Sequence, residues 1–282
     1  MPRLNEPIKI SSRPPWLGPR HPFWRHQFAG GNAFMLTLMT RNADPIEPHA
    51  EPDHFEHMIA KSRQQLGQAA KLRLTGERNP HELLLRVEVQ NLAGHKFPTG
   101  HPYRRAWLHV RVLNKQGVVV FESGAVDHEA RIAGLPVAGS PHFDEITRPD
   151  QVQVYEAIMA EDSGQRTWSL LRAASLLKDN RLPPKGFHAV GEDARHISPV
   201  GVEGDLNFNS SADGRDVVTY RVALAGGSGP VAVEARLLYQ SVSPEAVERL
   251  LDSRRPLARE FSRLYSSMKL GPELVQEALA RF

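Results

Sequence analysis

Thirteen histidines and no cysteine bound the chemistry open to this 282-residue chain. Neutral imidazole is the commonest metal ligand among side chains and serves haem iron as well. Without a thiol there is no disulfide, no thiolate zinc site, no cysteine nucleophile and no thioether attachment of haem through Cys-x-x-Cys-His. The densest histidine group is EPHAEPDHFEH, with His49, His54 and His57 beside Glu51 and Glu56. His54 and His57 are three apart and share a helical face, but no His-Glu-x-x-His frame is present. A solvated helix start accounts for the same residues. DLNFNSSADGRD, residues 205–216, has the Asp, Asn and Gly density of a calcium loop without EF-hand spacing or a closing Glu, and reads as a turn. Ser123 follows a strand without the Gly-x-Ser-x-Gly frame of a nucleophile elbow.

Three loops stand apart: HQFAGGN, NLAGHKFPTG and KDNRLPPKGF. Each sets polar side chains among glycines, which allow unusual backbone angles, and two of them add stiffening prolines. Two readings are open. The loops are rigid corners with His95 bonded to backbone, or they present His26 and His95 in fixed orientations to something outside the chain.

The elements that must hold these loops are mostly strands. ELLLRVEVQ places Leu83, Leu85, Val87 and Val89 on one side. RAWLHVRVL places Ala106, Leu108, Val110 and Val112 inward and Trp107, His109 and Arg111 outward. NKQG turns into VVVFESGAV, and QVQVYEAIM, DVVTYRVAL and VAVEARLLYQ continue the pattern. Residues 1 to about 32 form a Pro-rich arm carrying Trp16, Phe23, Trp24 and Phe28. NAFMLTLMT predicts a helix, and so does the stretch after Asp53, a candidate cap, with Phe55, Met58, Ile59, Leu66 and Ala70 on one face. TWSLLRAASLL predicts a helical insertion, and Ser243-Pro244 opens a helical tail that includes PELVQEALARF.

The fold expected is mainly β: an antiparallel β-sandwich with helices at the N-terminus, in one insertion and at the C-terminus. Its parts are an arm with helices over 1–70, a sandwich over 71–242 with the insertion near 166–178, and a tail over 243–282, arm and tail packing on one core. A formal charge of +3 with no basic run gives no support to nucleic-acid binding, and no apolar run approaches membrane-span length. No signal peptide opens the chain.

HQFAGGNAFML, NLAGHKFPTGHPYRRAWLHV, GVVVFESGAV, PHFDEI, VQVYEAIM, LLKDNRLPPKGF, DVVTYRV and VEARLLYQSVSPE occur in this order. Together they resemble the carboxy-terminal, non-haem region of bacterial multihaem c-type cytochromes, over nearly the whole chain. The resemblance implies a scaffold or docking module of an electron-transfer system, periplasmic or extracellular, without catalytic activity of its own. In such proteins a Cys-x-x-Cys-His is often followed by Met-Pro, and this chain begins MPR. Haem c is therefore expected in a partner segment or subunit, which in turn meets a redox partner protein. The resemblance also implies a role for His95, then His26, then His142, as candidate axial ligands to such a haem. The alternative is a free-standing module for carbohydrate or metal that has lost the haem region.

Overall fold

The computed structural model describes all residues except 1–2, 26–27, 47, 137–138, 225–228 and 269–270; of the expected site residues, His26 lies outside the described set. The arm is extended, as its prolines require: β1 (Arg3–Leu4) pairs antiparallel with β2 (Phe23–Trp24). Helix α1 (Ala33–Arg41) starts behind Asn32, whose side-chain oxygen accepts the Met35 N–H at 2.9 Å. After the single turn α2 (Ala43–Ile46) comes α3 (Pro52–Leu66), with proline in its first turn. Asp53, expected to cap it, lies inside the helix and accepts the His54 N–H. Phe55 is buried, Met58, Ile59 and Leu66 are half-buried, and His54 and His57 are exposed. Ala70 opens the next strand instead of closing the helix.

The sandwich begins with β3 (Ala70–Arg78), β4 (Glu82–Asn91), β5 (Arg105–Leu113) and β6 (Val119–Ser123). Short β7 (Glu145–Ile146) and β8 (Val154–Tyr155) follow. A small side sheet is made by β9 (Ala157–Ala160), β10 (Arg166–Thr167) and β11 (Ser175–Asp179). Beyond the short helix α4 (Ala194–Ile197) come β12 (Arg215–Ala223) and β13 (Ala232–Gln240), then α5 (Pro244–Leu251), α6 (Pro256–Met268) and β14 (Glu273–Arg281). One main sheet runs β3-β4-β12-β7 and the other β14-β13-β5-β6, with β8 added on β5. Pairing is antiparallel except between β12 and β7.

Leu83, Leu85, Val87 and Val89 of β4 and Leu108, Val110 and Val112 of β5 are all 0% exposed and belong to one core with Tyr220 and Leu237. The two inner faces therefore meet, as the period-2 alternation demands. The turn between β5 and β6 is closed by Asn114, whose Oδ1 accepts the Gln116 and Val118 N–H groups. Ser243 caps α5 through Ala246 N–H, as its position before Pro244 predicts.

Trp107 points outward, as expected, yet is buried: it packs with Ile132, Val152, Val154 and Leu238 on the outer side of the sheet, and its indole N–H donates to Gly124 O at 2.9 Å. The segment between β6 and β8 covers that face, so a residue pointing away from the sandwich is buried as well. TWSLLRAASLL is not a helix. It runs from the last residue of β10 through a 3-10 turn over Leu170–Arg172 into the first three residues of β11, and Leu171 is 100% exposed. PELVQEALARF is not helical tail but β14, which pairs with β13 from Glu273 to Arg281. Both stretches carry strong helix formers, yet helix propensity amounts to less than about 1 kcal/mol per residue and yields to a sheet edge that offers a full ladder of hydrogen bonds.

Candidate functional site

At one end of the sandwich the strand β4 ends in Asn91, and that side chain organises the loop that follows. Its amide nitrogen donates to His95 O at 2.7 Å, Leu182 O at 2.9 Å and Pro183 O at 3.1 Å, while its oxygen accepts the Ala93 N–H at 2.8 Å. The residue is buried. One short polar side chain thus ties the His95 loop to the Pro-rich loop and gives a partner to four backbone groups, three of which would otherwise be stranded. Phe97 and Leu182 add a reciprocal pair of backbone bonds, each 2.8 Å. The Pro-rich loop rests in turn on Gly214: φ is +72° and a Cβ there would sit 2.5 Å from Pro183 O, so glycine is required.

Charge fastens the same junction. Lys96 Nζ lies 2.7 Å from Asp179 Oδ2, and Arg181 Nε donates to Asp179 Oδ1 at 2.6 Å. Burial works to raise the Asp179 carboxyl, but Arg181 and Lys96 outweigh it and hold the group below the usual aspartate range. Asp179 of KDNRLPPKGF, held by Arg181, is thus a structural partner of the His95 loop, whereas Lys178 and Asn180 bond elsewhere.

His95 itself is exposed. Its Nδ1 lies 3.1 Å from Lys96 O and can only donate there, which fixes the tautomer and leaves Nε2 as the free lone pair. Among the described residues no hydrogen bond is formed by Nε2. A backbone carbonyl on one ring nitrogen with the other open is the arrangement that orients a ligating histidine.

Beside it runs a groove of about 660 Å³, lined by Trp24 and Phe28 of the arm, Leu66 at the end of α3 and Ala69 just after it, and His95 with Phe97. The arm is brought there by β13: Tyr239 Oη donates to Gly31 O at 2.7 Å, and Ser241 Oγ bonds Asn32 Oδ1 at 2.9 Å. Trp24 and Phe28 stay exposed within the groove. Aromatic arm residues and His95 share one side of the molecule; Trp16, also exposed, does not line the groove.

His142 is placed differently. Its side chain is buried; Nε2 faces Asp205 Oδ2 at 2.9 Å, and Nδ1 faces the amide nitrogens of Gln153 at 2.8 Å and Asn180 at 3.0 Å. Both nitrogens are engaged inside the protein, so His142 has none to offer a group outside. His109, at mid-strand, bonds Glu122 at 2.9 Å within a ladder of outer-face charges that includes Arg111 and Glu234. The 205–216 stretch is a turn, as expected: Asn207 and Asn209 oxygens accept the Val217 and Gly214 N–H groups. What spacing alone did not reveal is that its two ends, Asp205 and Asp216, meet His142 in the interior.

The structure is a β-sandwich with helical decoration and a histidine-bearing aromatic groove at one end. No family model matches the chain, and no curated protein does. Among solved structures it is similar to a penta-heme cytochrome c552 from Thermochromatium tepidum, with a TM-score of 0.47 and 18% identity. The alignment covers 78% of this chain and 41% of that one, so the chain spans less than half the length of that cytochrome.

Proposed function

We propose that this chain is the non-haem module of a multihaem c-type cytochrome system, and that the groove docks a haem-bearing segment or subunit to which His95 offers Nε2. The observation that carries the reading is His95: one nitrogen fixed by a carbonyl, the other open, on a loop clamped by Asn91 and Lys96. The motif order that resembles the non-haem region of such cytochromes supports it.

The residues present fit such a group. Imidazole is a haem ligand, the groove volume falls in the range of about 300–1,000 Å³ usual for cofactor-sized sites, and aromatic side chains supply the apolar wall a porphyrin requires. The haem would supply one-electron chemistry. The work of this chain is to orient a lone pair, exclude water along one edge and hold the partner's register. With no cysteine it forms no thioether bond, so the haem is carried by the partner. Under this reading the protein works outside the cytoplasm, where its redox partner also resides, and has no catalytic activity alone.

Ferric haem added to the purified chain is expected to bind saturably, with the spectrum of a histidine-ligated haem. His95→Ala should weaken that binding by about tenfold or more, since even the loss of groups that only orient a metal ligand costs about 10–100-fold. His109→Ala should leave it unchanged. Equal affinities for the wild type and His95→Ala would overturn the assignment. Saturable binding of an oligosaccharide to the Trp24–Phe28 wall, with no haem spectrum, would favour the free-standing binding module instead.

A further inference from the structure

The second cluster of chemistry-bearing residues is the buried group His142, Asp205 and Asp216, whose ligand atoms lie within 4.8 Å of one another. Two carboxylates and an imidazole at that spacing suit a divalent cation, but the hydrogen bonds around the ring exclude one. Gln153 Oε1 accepts the Phe143 N–H at 2.8 Å, and Asn180 Oδ1 accepts the Glu156 N–H at 3.0 Å while its nitrogen also donates to Val154 O. Neither amide can be reversed, so both present N–H donors to His142 Nδ1. Nδ1 is therefore the acceptor and Nε2 carries the hydrogen, donated to Asp205. A metal at Nε2 would require a ring stripped of both protons.

Asp216 is fully buried. Its Oδ2 accepts from Tyr155 Oη at 2.7 Å and faces Gln153 Nε2 at 3.3 Å, and among the described residues its Oδ1 has no donor. One carboxylate oxygen of Asp216 lies within 4.8 Å of one of Asp205. Two bare carboxylates that close within a protein interior repel strongly, and a buried acceptor with no donor is destabilising. One proton removes both problems. We propose that Asp216 Oδ1 carries a proton and donates it to the Asp205 carboxylate, so that His142, Asp205 and Asp216 form a buried proton-holding site and not a cation site.

The groups that face Asp216 are few. Asp205 comes from the 205–216 turn, His142 from the segment before β7, Tyr155 from β8, and Tyr220 from its own strand β12. Burial raises the Asp216 carboxyl to about 6, with Asp205 pushing the same way against His142 and Tyr155. Because the folded value lies above the unfolded one, the folded chain binds the extra proton. The stabilisation is complete below about pH 4 and is lost as pH rises through about 6. Over those two units the folding constant falls by about 100-fold from this group alone. Asp205 has the opposite sign: burial works to raise it, but His142 and the Asn207 and Phe208 N–H groups hold it low, so its contribution is lost only under more acidic conditions.

Asn180 belongs to this network and adjoins Asp179, the anchor of Lys96. The network thus reaches the neighbour of the Lys96–Asp179 pair, and the inference stands whether or not the groove docks a haem partner.

The test is denaturant unfolding of the whole chain from pH 4 to 8, for the wild type and Asp216→Asn. An amide keeps a donor toward Asp205 and an acceptor toward Tyr155. The variant should fold, and the wild-type-to-variant ratio of folding constants should fall by about 100-fold across the window. A ratio independent of pH overturns the proposal. Should the variant fail to fold, carboxyl-carbon NMR of the aspartates in the wild type decides: one must titrate near 6, and its absence is fatal. Saturable stabilisation of the wild type by zinc, manganese or calcium would equally sink the proton reading in favour of a cation.

Discussion

Val110→Asp is expected to unfold this protein or to leave it barely stable. Val110 is 0% exposed in the middle of β5, flanked on the same face by Leu108 and Val112, and opposite β13 at Ala235. Among the described residues no cation faces the core at that position: the neighbours of Val110 on β5, His109 and Arg111, point to the outer face and are paired there with Glu122 and Glu234, and Arg105, at the start of the strand, is paired with Glu245. An aspartate at 110 must lose its hydration without a partner or accept a proton at a cost. Either way the loss is about 4 kcal/mol or more, at the upper end for single substitutions and comparable to the whole stability of many domains. Urea unfolding followed by tryptophan fluorescence should show either no folded baseline or a midpoint far below that of the parent. Val110→Ala, which leaves a cavity without a charge, should cost much less. A Val110→Asp chain that unfolds like the parent would mean that the strand's inward face has been misassigned.

That result separates what the sequence could reveal from what it could not. The inward residues of β4 and β5 are legible because burying one face of a strand forces a period of two, and Leu and Val, with Ala106 in β5, hold that period over seven residues in each strand. β14 hides the same period. Its half-buried positions include Ala278 and Ala280, while Leu274 and Leu279 face solvent, so the letters suggest a helix even though the backbone pairs along its length. β11 hides it differently: Lys178 and Asp179 are buried because partners elsewhere in the chain receive them, and no local pattern announces a distant partner.

The site shows the same division. Glycine and proline mark the His95 loop as one worth singling out, and hydrogen bonds from Asn91 and Lys96 fasten it. Asn91 is one residue at the end of a strand and carries no signature until the Pro-rich loop, 91 residues further along, is brought against it. His142 illustrates the converse. The resemblance ranks it third, after His95 and His26, as a candidate ligand, yet burial and two amide donors give it an interior role.

Asn91→Leu should dismantle that junction while leaving the sandwich folded. Leucine matches asparagine in shape but offers no polar atom, so the His95 and Pro183 carbonyls and the Ala93 N–H each lose a partner, and Leu182 O keeps only the Phe97 N–H. At about 1–3 kcal/mol for each stranded buried group, and with some recovered by water at the loop's exposed side, a total near 3–5 kcal/mol is expected. Asn91→Asp tests the direction of the bonds: a carboxylate keeps the acceptor for Ala93 but turns three donations into repulsions against carbonyl oxygens, and should be no milder. Hydrogen exchange gives the spatial check. Phe97 and Leu182 amides, which bond each other's carbonyls, should lose protection, whereas Val87 and Val110 in the sheets should keep theirs relative to global stability. In the haem titration, Asn91→Leu should weaken binding although no haem-facing atom has changed, because His95 would then spend most of its time in other orientations. If the variant keeps both the Phe97 protection and the wild-type affinity, Asn91 is not what holds the histidine in place, and the Lys96–Asp179 pair must be the anchor instead.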